Sequence, residues 1–412
     1  MSWNLVKGKK GYSHMSKPNS WIKPRHKVVY ALLRPIVAAY TSWKYGIKVE
    51  KFQEENGRQY LVVMNHQTGF DQFFPAMAMR QPLYYIASED IFSIGWVSKL
   101  LTWLVAPIPI RKQTTDIQAV KNCIKVAKEG GSICLAPEGN RTFHGRNVYM
   151  NPSIGSLARK LALPIAIFRI EGGYGIQPRW SDVVRKGRMR GYVSEVIEPE
   201  EFKNWTAQEL YQRIEKALYV DEGREAGPYV HKKAAEYLER AMYVCPYCGL
   251  SEFESHDDLI TCKKCGRQIR YTPTTALEGV GFQFPHKFVA DWYDYQCEFV
   301  NKLDVLSFSE TPIYEDTAQL SEVIVYKRKE LLKKQIQVQL YGDKIVLDGE
   351  VYPFSEVFAV VVLGKNKVNI YHDKKIYQLK GGKRFNALKY VNIYHRYKNM
   401  VSEAENGKFL GL

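Results

Sequence analysis

The stretch LVVMNHQTGFD, from Leu61 to Asp71, contains the feature that decides the fold. Its apolar beginning is typical of a short buried strand, and the polar residues that follow predict a loop at the end of that strand. His66 and Asp71 lie five positions apart in this loop. The pair is either a catalytic base with its orienting carboxylate or part of an ordinary strand-to-helix turn, and other parts of the chain distinguish the two.

Short apolar runs alternate with helical patterns in the first half of the chain. One helix begins at a capping residue, Asp116, and ends near Gly130. Strands that alternate with helices in this way predict an α/β domain, which we place at residues 49–240. The other predicted elements are strands at Tyr60–Met64, Ile133–Ala136 and Pro164–Arg169, a helix at Ala207–Leu218, and a further helix that runs through Ala241.

The chain has 412 residues and a formal net charge of +16, and the excess of positive charge is concentrated at the N-terminus. Ten lysines and arginines precede Glu50, and no acidic residue does. They flank a pattern in which Leu33, Tyr40 and Trp43 recur at helical spacing, which predicts a pair of interfacial helices. We therefore expect a basic amphipathic membrane-binding segment at residues 1–48. The alternative is a surface helix docked on its own domain.

The N-terminal segment fits neither a secretory signal nor a membrane span. Arg34 and Pro35 interrupt the apolar run, and about 20 apolar residues are needed to cross a bilayer. We expect a peripheral or monotopic protein on the cytoplasmic face of a membrane, in a reducing compartment. A second apolar stretch, Ile91–Val105, contains Trp96 and Trp103 and is either a buried core helix or another interfacial insertion.

Two further loops carry groups that bind anions. One follows a predicted strand and contains Glu138, Gly139 and Arg141. Glycine lets the backbone approach a ligand, and a guanidinium binds phosphate through two parallel hydrogen bonds. The other loop follows the second apolar stretch and contains Arg111. Together these residues predict a site for a ligand that bears phosphate.

The order and spacing of these blocks resemble the four motifs of the membrane-associated glycerophospholipid acyltransferases, whose best-known members are lysophosphatidic acid acyltransferases. The resemblance spans about residues 27–240. The chain departs from the family at Ala136 and Asn140, where phenylalanine and threonine are more usual, and this bears on substrate preference. The matching blocks are Asn65 with His66 and Asp71 (NH-x4-D), Ile110 with Arg111, Pro137–Arg141 and Leu163–Ile165.

The resemblance implies transfer of a fatty acyl group from an acyl thioester, acyl-CoA or acyl carrier protein, to a lysophospholipid such as 1-acylglycerol-3-phosphate. A hydroxyl is too weakly acidic to attack a thioester unless a base removes its proton, which neutral histidine can do. Glycerol phosphate or a glycolipid as acceptor, and a catalytically silent membrane adaptor, are the alternatives. The implied site residues are His66 and Asp71 for catalysis and Arg111, Glu138, Gly139 and Arg141 for substrate binding.

Four of the seven cysteines form two Cys-x-x-Cys pairs that are 13 residues apart, and each pair is followed by glycine. Two such pairs can direct four thiolates at one Zn²⁺, which leaves no open position for catalysis. We therefore predict a structural Zn²⁺ in a zinc ribbon at residues 243–272. Nearby lysines and arginines also permit a nucleic-acid-binding ribbon, but no array of stacking aromatic residues accompanies them, so nucleic acid is not the expected partner. The predicted ligands are Cys245, Cys248, Cys262 and Cys265.

Short β runs separated by turns fill the C-terminal part of the chain. A helical pattern from Asn386 to Met400 follows the last run. Strands closed by one helix resemble a pleckstrin-homology-like module in shape, so we predict a β-rich domain at residues 305–412. The predicted strands are Ile336–Leu340, Lys344–Leu347, Val357–Leu363, Lys367–Tyr371 and Lys375–Leu379.

Overall fold

The N-terminal part of the chain folds into a seven-stranded sheet that is covered by helices on both faces. The structure, a computed structural model, describes residues 20–110, 116–224, 227–324 and 327–402. In chain order the elements of this first unit are α1 (Pro24–Tyr45), β1 (Ile47–Val49), β2 (Leu61–Met64), α2 (Phe73–Ala78), β3 (Leu83–Ser88), α3 (Trp96–Val105), β4 (Ile108–Ile110), α4 (Ile117–Lys128), β5 (Ser132–Leu135), α5 (Ser153–Leu161), β6 (Ile165–Glu171), α6 (Gly173–Ile176), β7 (Met189–Ile197), α7 (Pro199–Phe202) and α8 (Ala207–Leu218).

The strand order of this sheet is β1-β7-β6-β2-β5-β3-β4. Neighbouring strands are parallel except for β6 and β7, which pair antiparallel. Strand β2 lies in the centre, where Leu61 is paired with Ile133 on one side and Ile165 on the other. The predicted α/β domain is therefore present as a mixed sheet, and its three predicted strands are confirmed to within one or two residues.

Burial on both faces explains the continuous apolar sequence of β2. Leu61 and Val63 pack in the hydrophobic cluster that contains residues of α4, α5 and α8. Val62 and Met64 point to the opposite face and pack with residues of α2. A strand covered on both sides has no solvent-facing position, so its residues are apolar without alternation.

The pair of N-terminal helices that the sequence predicts is a single helix over the described residues. Pro35 lies inside α1 and does not end it, although proline removes a hydrogen bond from a helix interior. Contacts with α2 hold α1 on both sides of this position: Tyr30 donates to the Ala76 carbonyl at 2.7 Å, and Thr41 contacts the sulfur of Met77 at 3.3 Å. Tertiary packing thus offsets the local cost of the proline.

The helix predicted to run through Ala241 is wrong. Over residues 227–243 the structure has a 3-10 turn, Leu238–Arg240, and otherwise irregular chain. Part of the backbone here bonds to the following unit, since Ala235 N donates to the Asp257 carbonyl at 2.7 Å and Tyr237 N donates to Ser255 Oγ at 2.6 Å. These bonds to a neighbouring hairpin replace the bonds of a helix.

The cysteine-rich region consists of short antiparallel strands. A two-stranded ribbon is followed by a four-stranded sheet in the order β10-β11-β12-β13. The strands are β8 (Val244–Cys245), β9 (Gly249–Leu250), β10 (Phe253–His256), β11 (Leu259–Cys262), β12 (Gln268–Tyr271) and β13 (Leu277–Gly279).

The C-terminal part is a curled antiparallel sheet between two helices. Its strand order is β17-β16-β15-β14-β20-β19-β18, and the predicted β runs and closing helix are confirmed. The likeness to a pleckstrin-homology module stays a prediction. The elements are α9 (Val289–Lys302), β14 (Tyr314–Ile324), β15 (Arg328–Leu340), β16 (Lys344–Leu347), β17 (Glu350–Pro353), β18 (Ala359–Leu363), β19 (Lys367–His372), β20 (Lys375–Gly381) and α10 (Leu388–Val401).

One hydrophobic cluster joins the three parts of the fold. It contains Phe143 and Trp180 of the first unit, Cys262 of the ribbon, and Val362 and Tyr394 of the C-terminal unit. The cysteine-rich and C-terminal units therefore pack against the first unit through a shared core.

Candidate active site

The loop after β2 holds the side chains of His66 and Asp71 together. Nδ1 of His66 lies 2.8 Å from Oδ2 of Asp71. Because a carboxylate can only accept a hydrogen bond, we assign the proton to Nδ1, which leaves the lone pair of Nε2 free to take a proton from a substrate. The pair that the sequence singles out thus has the geometry of a base and its orienting carboxylate.

Asp71 is held by its own loop. The carboxylate is fully buried and accepts hydrogen bonds from the backbone N–H groups of Gln67 and Thr68, and from the Thr68 hydroxyl at 2.6 Å. An aspartate that bonds to nearby backbone in this way shapes a turn. The bonds that form the loop therefore also fix the carboxylate beside the imidazole.

Asn65 joins this loop to the neighbouring strand. Its Nδ2 donates to the Ile170 carbonyl at 2.8 Å, and its Oδ1 accepts from Ile170 N at 2.7 Å. These two bonds pair the end of β2 with β6. The asparagine of the NH-x4-D block thus has a structural role, because it sets where the His66 loop begins.

The loop with Glu138 follows β5, which is the parallel neighbour of β2. Parallel neighbours end at the same edge of a sheet, so the two loops meet there. Glu138 Oε1 accepts from His66 N at 3.1 Å and Oε2 accepts from Val148 N at 3.0 Å. Burial raises the pKa of Glu138 to about 8, and the donors of Val148, His66 and Asn147 oppose this change. This geometry favours a positioning role for Glu138 over the predicted contact with the acceptor.

In the same loop Gly139 is exposed and Arg141 is partly buried. Gly139 has φ +64°, and a Cβ at this position would meet no atom within 4 Å, so the left-handed backbone and not crowding requires glycine. Nη1 of Arg141 lies 3.8 Å from the position that a Cβ on Gly69 would occupy. The guanidinium is thus next to the His66 loop, and among the described residues it has no ion pair to a carboxylate.

The electrostatic surroundings of His66 favour a neutral imidazole. Burial lowers its pKa below the ordinary value, Asp71 opposes this change, and the positive charges of Arg141 and Arg179 add to it. A general base must be unprotonated before it acts. The surroundings therefore favour the unprotonated form of His66.

Arg179 is a residue of this site that the sequence did not reveal. Its buried guanidinium donates from Nη1 to the Arg141 carbonyl at 2.8 Å and lies 4.4 Å from the centre of the Phe143 ring. It comes between α6 and β7, outside every motif block, and no sequence signal distinguishes it from a surface arginine. The predicted Arg111, by contrast, lies outside the described residues.

The four predicted zinc ligands come together. Their sulfur atoms all lie within 4.8 Å of one another, with Cys245 3.9 Å from Cys265 and Cys248 3.6 Å from Cys262. Four sulfurs at about 2.3 Å from one Zn²⁺ in a tetrahedron would be about 3.8 Å apart. The cluster therefore fits a closed four-thiolate site.

Two helices expose apolar side chains in place of burying them. The exposed apolar residues of α1 recur at helical spacing. Helix α3 contacts α1, because Arg25 Nε donates to the Trp103 carbonyl at 2.9 Å. Over the described part of the chain, no helix combines the length and apolarity needed to span a bilayer. We call the exposed set the apolar patch; its members are Val28, Leu32, Ile36, Tyr40 and Trp43 on α1 and Trp96, Leu100 and Trp103 on α3.

Helix α1 also touches the His66 loop. The rings of Tyr40 and Tyr45 lie 5.9 Å and 5.5 Å from the ring of Phe70, the residue before Asp71. The helix that exposes much of the apolar patch is thus packed against the loop that holds His66.

Comparisons with known proteins find similarity over the part of the chain that contains both loops. Residues 47–171 match the protein family described as Acyltransferase. A chloroplastic 1-acyl-sn-glycerol-3-phosphate acyltransferase of Brassica napus is 23% identical over 165 residues, which are 39% of this chain and 47% of that protein. The corresponding Bacillus subtilis enzyme is 21% identical over 136 residues, 33% of this chain and 65% of that protein.

Among solved structures, the 1-acyl-sn-glycerophosphate acyltransferase PlsC of Thermotoga maritima aligns with a TM-score of 0.40 and 20% identity, over 47% of this chain and 78% of that one. The chain spans about half the length of the Brassica relative and about two thirds of the Bacillus one. The family match covers both loops of the site, from before His66 to beyond Arg141. Residues 47–171 of this chain therefore match the Acyltransferase family, and part of the chain is similar to 1-acyl-sn-glycerol-3-phosphate acyltransferases.

Proposed function

We propose that this protein transfers a fatty acyl group from an acyl thioester to the hydroxyl of a lysophospholipid, with 1-acylglycerol-3-phosphate as acceptor and phosphatidic acid as product. The observation that carries the proposal is the 2.8 Å contact between His66 Nδ1 and Asp71 Oδ2, within a domain that matches the Acyltransferase family. Acyl-CoA and acyl carrier protein are both suitable donors.

Nε2 of His66 would remove the proton of the acceptor hydroxyl as the oxygen attacks the thioester carbonyl. Asp71 stabilises the imidazolium that forms, because it accepts from the Nδ1 side of the ring. The tetrahedral intermediate then collapses, the C–S bond breaks, and the imidazolium returns the proton to the leaving thiolate. No protein nucleophile is needed, since the substrate hydroxyl takes the place of serine in a Ser-His-Asp arrangement.

Arg141 would bind the phosphate of the acceptor. Its guanidinium lies beside the His66 loop without a carboxylate partner among the described residues, and a planar guanidinium binds phosphate through two parallel bonds. Arg111 is a second predicted phosphate ligand. Glycerol phosphate is compatible with the same arginines, whereas a neutral glycolipid would leave the guanidinium charge of Arg141 unmatched.

The apolar patch would bring the site to the surface where lipid acceptors lie. Six cations and no acidic residue fall between residues 20 and 48, which favours an anionic membrane. Trp43 is 81% exposed and Trp96 is 73% exposed, and tryptophan suits the boundary between headgroups and acyl chains. Peripheral binding through this patch would leave the α/β sheet outside the bilayer.

The four-cysteine cluster would hold a structural Zn²⁺. The metal would form four Zn–S bonds and so stabilise the ribbon, whose residues belong to the shared core. None of the four cysteines lies in the His66 site, so the metal has no direct part in the proposed reaction.

A thiol-release assay with acyl-CoA and lysophosphatidic acid in mixed micelles tests the reaction, with products identified by mass spectrometry. We expect turnover by the wild type and a loss of at least ~10²-fold in His66→Ala, the low end for removal of a general base. His256→Ala is the matched control, because His256 forms a histidine–carboxylate pair with Glu254 at 3.1 Å on the exposed ribbon.

Near-normal turnover in folded His66→Ala protein would overturn the mechanism. The wild type is tested with CoA and acyl carrier protein thioesters as donors, and with lysophosphatidic acid, glycerol 3-phosphate and a lysoglycolipid as acceptors. Absence of turnover with every combination would favour the non-catalytic alternative. Transfer to a different member of that panel would keep the chemistry and replace the acceptor.

A further inference from the structure

The C-terminal sheet reaches the candidate active site through one turn, residues 364–366, between β18 and β19. Arg179, which is 2% exposed, donates from Nε to the Gly364 carbonyl at 2.8 Å and from Nη1 to the Arg141 carbonyl at 2.8 Å. One buried guanidinium therefore joins the loop of Arg141 to the C-terminal sheet. The position of that loop beside His66 depends in part on a contact that this sheet makes.

Lys365 lies in the same turn and contacts the segment that follows Arg179. Its Nζ donates to the Ser181 carbonyl and, at 2.8 Å, to Oδ1 of Asp182. Burial lowers the pKa of Lys365, Asp182 opposes this change, and the positive charge of Arg141 adds to it. Lys365 belongs to the C-terminal unit and Arg141 to the first unit, and Arg179 joins their segments because it donates to the carbonyls of Gly364 and Arg141.

The charged side chains around this turn carry more positive than negative charge; they are Arg141, Arg179, Arg240, Lys365 and Asp182. Arg141 has no ion pair among the described residues, and Arg179 donates there to carbonyl oxygens only. Asp182 is shared between Lys365 and the buried Arg240. Partly buried like charges without matching carboxylates are unfavourable unless an anion binds to them.

We propose that Lys365 is a specificity-determining residue that binds the phosphate monoester of the acceptor together with Arg141, so that the C-terminal sheet completes the acceptor site. This inference rests on the acyl transfer proposed above. The guanidinium of Arg141 supplies a planar fork and the ammonium of Lys365 a point charge. When phosphate binds, Lys365 loses part of its contact with Asp182. The ion pair with Arg240 still balances the negative charge of that carboxylate.

Steady-state kinetics of the full chain with lysophosphatidic acid and with the matching monoacylglycerol, which lacks the phosphate, test the inference. Lys365→Met would remove a charged hydrogen bond at a partly exposed site. We therefore expect it to raise KM for lysophosphatidic acid about tenfold and to lower the selectivity for this acceptor by a similar factor. Lys365→Arg keeps the charge and should recover part of the selectivity. KM for acyl-CoA should not change, which distinguishes the acceptor phosphate from the phosphates of CoA.

Lys344→Met is the matched control. Lys344 has the same 24% exposure as Lys365, lies in the same sheet, and donates to the Ser309 carbonyl at 2.6 Å, within the C-terminal unit. We expect this variant to keep the selectivity of the wild type. Thermal denaturation of all variants measures the purely structural contribution of each lysine.

Suppose that the wild type prefers the phosphorylated acceptor and Arg141→Ala loses that preference. Unchanged selectivity in Lys365→Met would then overturn the role of Lys365 and leave the proposed function standing. Equal losses with both acceptors, or a raised KM for acyl-CoA alone, would also overturn it. A wild type that does not discriminate between the acceptors would refute the phosphate site as a whole, and an inactive wild type would refute the proposed function.

Discussion

The backbone N–H of His66 donates a hydrogen bond to Oε1 of Glu138 across 3.1 Å, so the candidate base is held by a residue of a different loop. Glu138 also accepts from Asn147 and Val148. Three N–H donors converge on one buried carboxyl group, and two of them share Oε1. The loops that follow β2 and β5 are therefore locked together at the base itself.

Replacement of Glu138 by glutamine should lower kcat about 10- to 100-fold and change KM for the acceptor little. The amide would direct an N–H group at one of the three donors, and small shifts of a catalytic group are costly. Steady-state kinetics measure this. Glu239→Gln is the control, because Glu239 is a buried carboxyl group that bonds to Ser255 and Arg384 instead. A raised KM at constant kcat would mean that Glu138 contacts the acceptor.

Asp71→Asn should lower kcat/KM by about 10²- to 10⁴-fold. An asparagine amide can donate to Nδ1, which moves the ring proton to Nε2 and removes the base. The control is Asp258→Asn, in an exposed pair with Arg270 at 3.0 Å. Activity within a few-fold of the wild type would show that the tautomer of His66 does not depend on Asp71.

The acid limb of the kcat/KM profile should lie below the ordinary histidine pKa of about 6.5. His66 acts when neutral, which means above its pKa, and burial lowers that pKa. Arg141 lowers it as well, so Arg141→Ala should move the limb to higher pH. The second ionisation of a phosphate monoester falls near pH 6, and both proteins must therefore be compared with the same acceptor. An unshifted or lower limb in Arg141→Ala would contradict the electrostatic coupling.

Metal analysis should find one Zn²⁺ per chain, and Cys262→Ser should lose it. Loss of a structural zinc site, if it removes about 4 kcal/mol of stability, lowers the melting temperature by about 5 °C in a chain of this size. Cys123→Ser is the control, since Cys123 is a buried thiol outside the cluster. Carefully prepared wild-type protein without zinc would refute the site.

Replacement of both Trp43 and Trp103 by serine should weaken binding to anionic vesicles at least about tenfold, because burial of each large side chain contributes about 1.5–3 kcal/mol. Flotation with phosphatidylglycerol and phosphatidylcholine vesicles measures this binding. Phe358→Ser removes an aromatic residue that is 65% exposed on the C-terminal unit and serves as control. Equal flotation of the double variant and the wild type would exclude the apolar patch as the membrane-binding surface.

Features set by neighbours in the chain were predictable from sequence. The His66–Asp71 pair lies in a turn shaped by bonds between residues three to five positions apart, and the cysteine pairs lie in two tight turns. Strand β2 was recognisable because burial on both faces leaves only apolar residues. The cap of α4 was also predictable, since Asp116 accepts from Ala119 N at 3.0 Å within one helical turn.

Features that depend on contacts between distant residues were not predictable. The backbone before Ala241 bonds to a hairpin of the ribbon, which overrides its helical pattern. Helix α9 and strand β14 were not predicted from the sequence, and both contribute residues to the core that the three units share.

The sequence by itself determined the two loops of the candidate site, the four-cysteine cluster and the resemblance to the acyltransferases, because each depends on local spacing. Only the tertiary structure decided that Glu138 holds His66 and that the C-terminal sheet lies against the loop of Arg141. The second contact runs through Arg179 and Gly364, which are 185 positions apart. Such a contact depends on how separate units share one core, and no pattern within a single segment contains that information.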